Sequence, residues 1–150
     1  FFAEQQFDFT VTDGALRRYD AVEADITIYC GDFMALTGVQ CDAHFDRGAL
    51  VALHADVRPK YAAHVRSLLS SDAEQLVITV SYDQAVADGP PFSIGDDELQ
   101  DYWPGLKCID HYDDTDNAPP RLLEAGIEVF TEKVWRNAGN LAATTSRRRG

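Results

Sequence analysis

Three short polar strings follow predicted strands in this chain of 150 residues, and their side chains are placed to bind a ligand. They are Gly31-Asp32-Phe33, Asp46-Arg47-Gly48 and Tyr82-Asp83. Asp32 can accept a hydrogen bond from an exocyclic amine while the next backbone N–H donates to a ring nitrogen. Together these two groups would suit the edge of an adenine. The commoner alternative is an aspartate that forms a turn or caps a helix.

Two arginines can hold an anionic ligand through a planar, charge-assisted fork. Arg47 follows a predicted strand, and Arg121 lies in a late loop from which it can converge on the same space. For Arg47 the alternative is a local ion pair, and for Arg121 it is plain surface solvation. The stiff turn Gly89-Pro90-Pro91-Phe92 presents an aromatic ring that either roofs a pocket or belongs to a packed loop.

The remaining reactive residue types form no recognisable metal or catalytic site. The four histidines lack metal-ligand spacing, and the three cysteines contain no C-x-x-C pair. The acidic loop at residues 110–116 lacks the glycine and glutamate positions of an EF-hand. No glycine-rich phosphate loop occurs in the chain, and no nucleophile stands out beside a base. We therefore expect no metal in the site.

Composition limits the classes of partner. Asp and Glu number 25 against 13 Lys and Arg, and the net charge of −12 argues against nucleic acid or an anionic membrane as the main partner. No apolar run approaches the roughly 18 residues that suggest a membrane span. The length and the 45% hydrophobic content are typical of a single soluble domain. The odd number of cysteines favours a reducing, cytoplasmic compartment.

The elements that must position these residues alternate between strand and helix. Residues 56–70 form the clearest predicted helix, with apolar side chains at 3.6-residue spacing, Asp56 as its cap and Pro59 in its first turn. The β-branched run 76–80 predicts a strand buried on both faces, as in a parallel sheet. The other predicted elements are a hairpin of residues 15–20 and 25–30, a strand at 41–45, a short helix starting at 96, strands at 106–112 and 126–136, and a disordered tail at 137–150. This order indicates an α/β fold, in which ligands bind beyond the carboxyl ends of the strands.

Several strings occur in one order and at fixed spacings, and they identify a family. The strings are Cys30-Gly31-Asp32-Phe33, the run 45–53 with its Asp-Arg-Gly-Ala-Leu-Val-Ala core, Ser81-Tyr82-Asp83, Gly89-Pro90-Pro91-Phe92-Ser93, Glu124-Ala125-Gly126-Ile127 and Glu132-Lys133-Val134. The set resembles the thiopurine S-methyltransferase family, particularly its bacterial members, over residues 1–136. The Asp-Arg-Gly-Ala-Leu-Val-Ala string together with Gly-Pro-Pro-Phe is specific, whereas any one piece alone is weak.

The resemblance implies a class I methyltransferase fold and a cofactor. The α/β sheet would be Rossmann-like with seven strands, and the cofactor would be S-adenosylmethionine. Gly31, Asp32 and Phe33 would bind this cofactor, with the Asp32 side chain and the Phe33 backbone at its adenine.

The resemblance also implies an acceptor site for a small thiol or thiopurine, or for a selenium or tellurium compound. Asp46 and Arg47 would be the catalytic residues beside the methyl acceptor. The substrate-binding residues would be Arg47, Arg121, Pro90, Pro91 and Phe92. Methyl transfer from a sulfonium to sulfur is an in-line displacement that depends on close alignment of donor and acceptor, so it needs no metal and often no strong base.

One departure from the family affects the domain prediction. The glycine-containing cofactor loop and the acidic residue that binds the ribose would both lie before Phe1, and the only methionine is Met34. Residues 1–136 are therefore expected to be a partial methyltransferase domain, roughly the C-terminal two-thirds of such an enzyme. Two alternatives remain: a non-catalytic remnant that folds or binds a partner without turnover, and a different nucleotide-binding α/β protein.

Overall fold

A computed structural model of the chain describes residues 1–137. The chain divides into two compact units, residues 1–39 and a second unit that begins at Gln40. The predicted disordered tail lies outside the described residues, except for Asn137, which ends the last strand.

The first unit is a three-stranded antiparallel sheet. Its strands are β1 (Phe9–Thr12), β2 (Arg17–Ala21) and β3 (Thr27–Cys30), in the order β1-β2-β3. The predicted hairpin is confirmed, because Arg17 pairs with Cys30 across β2 and β3. Gly31 ends β3 with a φ of +149°, and a side chain there would meet Leu16 Cγ at 3.3 Å. The backbone conformation and the close approach therefore both require glycine.

The second unit is a four-stranded mixed sheet with helices between its strands. Its elements are β4 (Cys41–Asp46), α1 (Ala49–Ala52), α2 (Arg58–Leu68), β5 (Leu69–Ser81), α3 (Asp96–Tyr102), β6 (Leu106–Asp113), α4 (Pro120–Glu124) and β7 (Thr131–Asn137). The strand order is β4-β5-β7-β6, and β4 runs parallel to β5. Because β7 is antiparallel to both β5 and β6, strands β4, β5 and β6 end at the same edge. The predicted α/β class is confirmed.

The core lies on the face of this sheet that contacts α2 and α3. Val77 of β5 and Trp135 of β7 are neighbours in register and are both buried. The ring of Trp103, which follows α3, contacts the Tyr61 ring of α2 edge-on at 6.5 Å. Trp135 Nε1 donates a 2.9 Å hydrogen bond to Thr79 Oγ1, so the buried hydroxyl is satisfied. Each large side chain in this layer contributes roughly 1.5–3 kcal/mol by leaving water.

The opposite face of the sheet is less well covered than the sequence predicted. Leu76 and Ile78 are only half-buried, whereas Val77 and Thr79 are buried. A cavity of about 500 Å³ lies on this side, and its lining includes Phe45 and Leu76. The prediction that the run 76–80 is buried on both faces is therefore wrong at Leu76 and Ile78, while Val80 on the same face is buried.

Several element boundaries differ from the predictions for local reasons. Helix α2 begins at Arg58 after Val57, and Asp56 does not cap it, although Pro59 does lie in the first turn as expected. Strand β7 begins at Thr131 rather than at residue 126, because Gly126 turns the chain there with a φ of +95°. The single-turn helices α1 and α4 were not predicted, since they are too short for a periodic pattern.

Candidate functional site

The carboxyl edge of the four-stranded sheet gathers two of the three predicted ligand-binding strings. Strand β4 ends at Asp46, and its neighbour β5 ends at Ser81, directly before Tyr82-Asp83. Strand β7 enters at this same edge through Thr131 and Glu132. The residues of this edge, which we call the carboxyl-edge site, therefore come from the ends of β4, β5 and β6 with the loops that follow them, and from the start of β7.

Asp46 is buried, and both of its carboxylate oxygens accept hydrogen bonds. Oδ1 accepts from the backbone N–H of Ala49 at 2.9 Å and of Gly48 at 3.1 Å. Oδ2 accepts from the backbone N–H of Leu50 at 3.2 Å and from the Tyr61 hydroxyl at 2.8 Å. Burial, followed by the charge and hydrogen bond of Asp46, raises the pKa of Tyr61, so its hydroxyl remains a donor. Asp46 thus anchors the first turn of α1 to α2.

Arg47 lies apart from the carboxylate of its neighbour Asp46. Its side chain is 65% exposed, and its Nη2 atom is 3.9 Å from Oε2 of Glu132 on β7. The other Glu132 oxygen, Oε1, accepts a hydrogen bond from the Tyr112 hydroxyl of β6. The local ion pair considered for Arg47 is therefore present, while most of the guanidinium remains open to solvent.

Glu132 and Tyr112 are site residues that the sequence reasoning did not single out. Glu132 is 9% exposed and pairs in register with Tyr112 and with Val80. The hydrogen bond to Glu132 is the main cause that raises the pKa of Tyr112, while the Arg47 charge lowers it. In the sequence, Glu132 belongs to the string Glu132-Lys133-Val134 and lies on a strand that also carries Lys133 and Arg136, and this string does not reveal its partners.

Two hydrogen bonds hold the turn Gly89-Pro90-Pro91-Phe92 against α1 and the end of β5. The Phe92 N–H donates to the Val51 carbonyl at 2.6 Å, which joins the turn to α1. The Tyr82 hydroxyl donates to the Pro91 carbonyl at 2.7 Å, and the Tyr82 ring stacks on Phe130 at 5.8 Å. Phe92 itself is 3% exposed. Its ring therefore belongs to the packed layer, while the turn borders the carboxyl-edge site.

Arg121 binds the backbone of this turn. Its Nη1 donates to the Asp88 carbonyl at 2.8 Å, and its Nη2 donates to the Pro90 carbonyl. The structure thus brings Arg121 to the Gly-Pro-Pro-Phe turn, and the role of both toward a ligand stays a prediction. Arg121 is therefore hydrogen-bonded to the turn, and is not solely solvated at the surface as the alternative held.

A buried cation behind the turn was missed by the sequence reasoning. Arg58 is 3% exposed, and its Nη1 donates to Glu98 Oε1 at 2.8 Å. Its Nε donates to the Leu53 carbonyl at 2.9 Å, and its guanidinium lies 5.5 Å from the centre of the Phe92 ring. Arg58 therefore supports Phe92 through a cation–π contact. Nothing in the local pattern identifies its partner Glu98, because the two residues are 40 positions apart.

Gly31, Asp32 and Phe33 lie together in the first unit. Asp32 precedes a 3-10 turn, Phe33–Ala35, and its Oδ1 accepts from the Met34 N–H at 2.9 Å. The capping role considered for Asp32 is therefore present. Its side chain is exposed, and a carboxylate at the surface beside a sharp glycine turn fits the exocyclic amine of an adenine. The groups that this turn presents are thus compatible with binding of the predicted cofactor.

Two structural features were not found in the part of the chain that the structure describes. Residues 1–137 contain no group of three or more His, Cys, Asp or Glu side chains arranged to hold a metal ion. Within the same residues, no helix combines the length and the apolar character needed to cross a membrane.

Comparison with known proteins gives a consistent family match. A family model described as thiopurine S-methyltransferase matches residues 1–140. The chain is 41% identical over 142 residues to a thiopurine S-methyltransferase of Bordetella petrii, covering 91% of this chain and 64% of that protein. It is 39% identical over 117 residues to one of Pseudomonas syringae pv. tomato, covering 73% and 52% respectively. A Vibrio parahaemolyticus relative of the same name is 37% identical, with 90% of this chain and 63% of that protein covered. The chain thus spans less than two thirds of the length of these curated relatives.

Proposed function

The chain belongs to the thiopurine S-methyltransferase family, and we propose that it transfers a methyl group from S-adenosylmethionine to a small thiol or thiopurine acceptor. Selenium and tellurium compounds are included in the proposed acceptor class because they share the soft, nucleophilic character of sulfur. The observation that carries the proposal is the family match over residues 1–140 combined with an exposed Arg47 at the carboxyl edge of the sheet.

The first unit is the proposed cofactor side. S-adenosylmethionine, when bound, supplies an electrophilic methyl group on its sulfonium. Asp32 accepts from the exocyclic amine of the adenine, and the Phe33 backbone meets the adenine ring. Gly31 supports this turn because its φ of +149° is a conformation that side-chain-bearing residues rarely adopt.

Arg47 is the proposed acceptor-binding cation. Its exposed guanidinium offers a planar set of donors to an anionic group, and it lies at the end of β4, where ligands bind in α/β folds. Asp46 positions Arg47, because its four hydrogen bonds fix the backbone on either side of the turn from β4 into α1. In this proposal Asp46 acts through Arg47 rather than on the acceptor itself.

Arg121 and the turn Gly89-Pro90-Pro91-Phe92 form the proposed wall of the acceptor site. Arg121 holds the carbonyls of Asp88 and Pro90, and Tyr82 holds that of Pro91. A wall fixed in this way orients a flat acceptor and limits the access of water. Since an aromatic thiol or thione is already acidic, catalysis comes mainly from alignment, and no strong base is needed.

A methyl-transfer assay with two matched acceptors tests the proposal. The protein, in the full length that its gene encodes, is incubated with S-adenosylmethionine and either 4-mercaptobenzoate or thiophenol. Mass spectrometry is expected to detect the S-methylated products together with S-adenosylhomocysteine, with faster turnover of the carboxylate-bearing thiol. An Arg47→Ala variant is expected to lose this preference for the carboxylate.

A non-catalytic role, in which the protein binds a ligand or partner without turnover, is the second candidate. It predicts a folded protein that binds the acceptor or the cofactor and releases no methylated product. Calorimetric titration of both ligands alongside the assay distinguishes the two functions.

A further inference from the structure

The position of Glu132 in the carboxyl-edge site is unusual for a carboxylate. It lies on β7, with Val80 of β5 on one side and Tyr112 of β6 on the other, and it is 9% exposed. A carboxylate this well buried needs compensating partners. Its Oε1 accepts from the Tyr112 hydroxyl, and its Oε2 faces Arg47 at 3.9 Å.

The geometry of the Arg47–Glu132 pair leaves the arginine able to bind a ligand. A separation of 3.9 Å is too long for a hydrogen bond, so the contact is an ion pair only. The negative charge of Glu132 reduces the positive potential of Arg47, while the Arg47 side chain stays 65% exposed. An anion that approaches Arg47 therefore competes with Glu132 for the same positive charge.

We propose that Glu132 is a specificity-determining residue of the acceptor site, which limits how strongly the site prefers an acceptor with a carboxylate to one without it. This inference rests on the proposed function, in which Arg47 binds the acceptor. Glu132 acts on the acceptor through Arg47, whose positive charge it partly neutralises, and the Tyr112 hydroxyl holds its carboxylate in place.

The test compares the two matched acceptors in wild-type protein and in Glu132→Gln. Glutamine keeps the size of the side chain and an oxygen that accepts from Tyr112, and it removes the charge. We expect kcat/KM for 4-mercaptobenzoate to rise about two- to fivefold, the range of a partly exposed ion pair, mainly through a lower KM. The value for thiophenol is expected to stay unchanged. A merely structural role would instead lower kcat/KM for both acceptors.

Two variants control this experiment. Glu74→Gln removes an exposed glutamate that forms an ion pair with Arg136 at 3.6 Å near the opposite edge of the same sheet, and it should alter kcat/KM for neither acceptor. In an Arg47→Ala background, Glu132→Gln should lose its selective effect, because the positive charge that Glu132 partly neutralises is no longer present. An equal change for both acceptors, or a selective gain that persists without Arg47, would overturn the inference.

Calorimetric titration with 4-mercaptobenzoate distinguishes a failure of this inference from a failure of the proposed function. If the protein binds the thiol without methylating it, the proposed function fails, and tighter binding by Glu132→Gln still supports the role of Glu132. If the wild-type protein methylates both thiols and Glu132→Gln leaves their ratio unchanged, the inference alone fails. If the protein neither binds nor methylates the thiol, both are overturned.

Discussion

The Tyr61 hydroxyl on α2 donates a 2.8 Å hydrogen bond to Asp46 at the end of β4. This bond joins the strand, the turn that follows it and the first long helix of the second unit. The adjacent residues Asp46 and Arg47 therefore have different roles. Asp46 holds the backbone from the inside, while Arg47 is left exposed beside Glu132.

Replacing Asp46 should destabilise the protein more than replacing its hydroxyl partner. Asp46→Ala removes the acceptor of three backbone N–H groups and of Tyr61, so the free energy of unfolding should fall by about 2–4 kcal/mol. Tyr61→Phe removes one of these bonds and should cost about 0.5–1.5 kcal/mol. Urea denaturation of both variants measures the difference. Equal losses in the two variants would show that the capping of α1 by Asp46 adds little.

The buried Arg58 should contribute far more to stability than an exposed arginine in a similar ion pair. Arg58→Ala leaves Glu98 with the Tyr102 hydroxyl but without its cation, and because Glu98 is 30% exposed the cost should be about 2–3 kcal/mol, below that of a fully buried pair. Arg136→Ala breaks the exposed pair with Glu74 and should cost less than about 1 kcal/mol. The same urea experiment compares them, and similar costs would contradict the role given to Arg58.

The elements that could be predicted are those whose sequence pattern lies within the element itself. The β-branched run of β5, the alternation of β3 and the apolar spacing of α2 each located an element to within a few residues, although β5 is much longer than its central run. Helices α1 and α4 contain four and five residues, too few for a 3.6-residue period to appear. The position of each depends instead on contacts with the surrounding fold. For α1, these contacts are the hydrogen bonds that Asp46 accepts from its first N–H groups.

The candidate site was predictable in its motifs and not in its cross-strand contacts. The strings that contain Arg47 and the Gly-Pro-Pro-Phe turn could be identified from residue order, and Arg121 was singled out as a loop arginine and through the family resemblance. The roles of Glu132 and Arg58 depend on partners far away in sequence, so only the register of β7 and the packing of α2 against α3 reveal them. The roles of Asp32, Asp46 and Arg47 toward ligands remain predictions.

His44 should make the stability of the protein depend on pH. Burial lowers the pKa of His44, with a smaller opposing effect of Asp46, and its ring contacts Trp103 at 5.4 Å. The unfolded chain therefore binds a proton near the ordinary pKa of about 6.5, while the folded protein does so only at lower pH. The free energy of unfolding should fall as the pH drops from about 7.5 to about 5.5. Urea denaturation across this range should show a smaller decrease for His44→Gln, and identical slopes would contradict the prediction.

Arg121 should restrain the Gly-Pro-Pro-Phe turn. Arg121→Ala removes the donors to the Asp88 and Pro90 carbonyls, so backbone amides of residues 86–94 should exchange with deuterium faster, with less than about 1 kcal/mol lost in global stability. Glu124→Ala, an exposed change on the same helix, serves as the control and should leave the exchange unaltered. If the turn stays protected while the KM for an anionic acceptor rises, Arg121 contacts the acceptor directly and does not act by restraining the turn.

Arg47 should bind the acceptor and leave cofactor affinity unaffected. Its side chain is 65% exposed and paired with Glu132 at 3.9 Å, so Arg47→Ala should fold normally. Loss of a charge-assisted bond of about 1.5–3 kcal/mol should lower kcat/KM for an anionic thiol about ten- to hundredfold. Arg47→Lys should recover only part of this loss, because an ammonium lacks the planar pair of donors. Steady-state kinetics with anionic and neutral thiols, alongside calorimetric titration of S-adenosylmethionine, measures both effects. Weaker cofactor binding with unchanged acceptor kinetics would assign Arg47 to the cofactor instead.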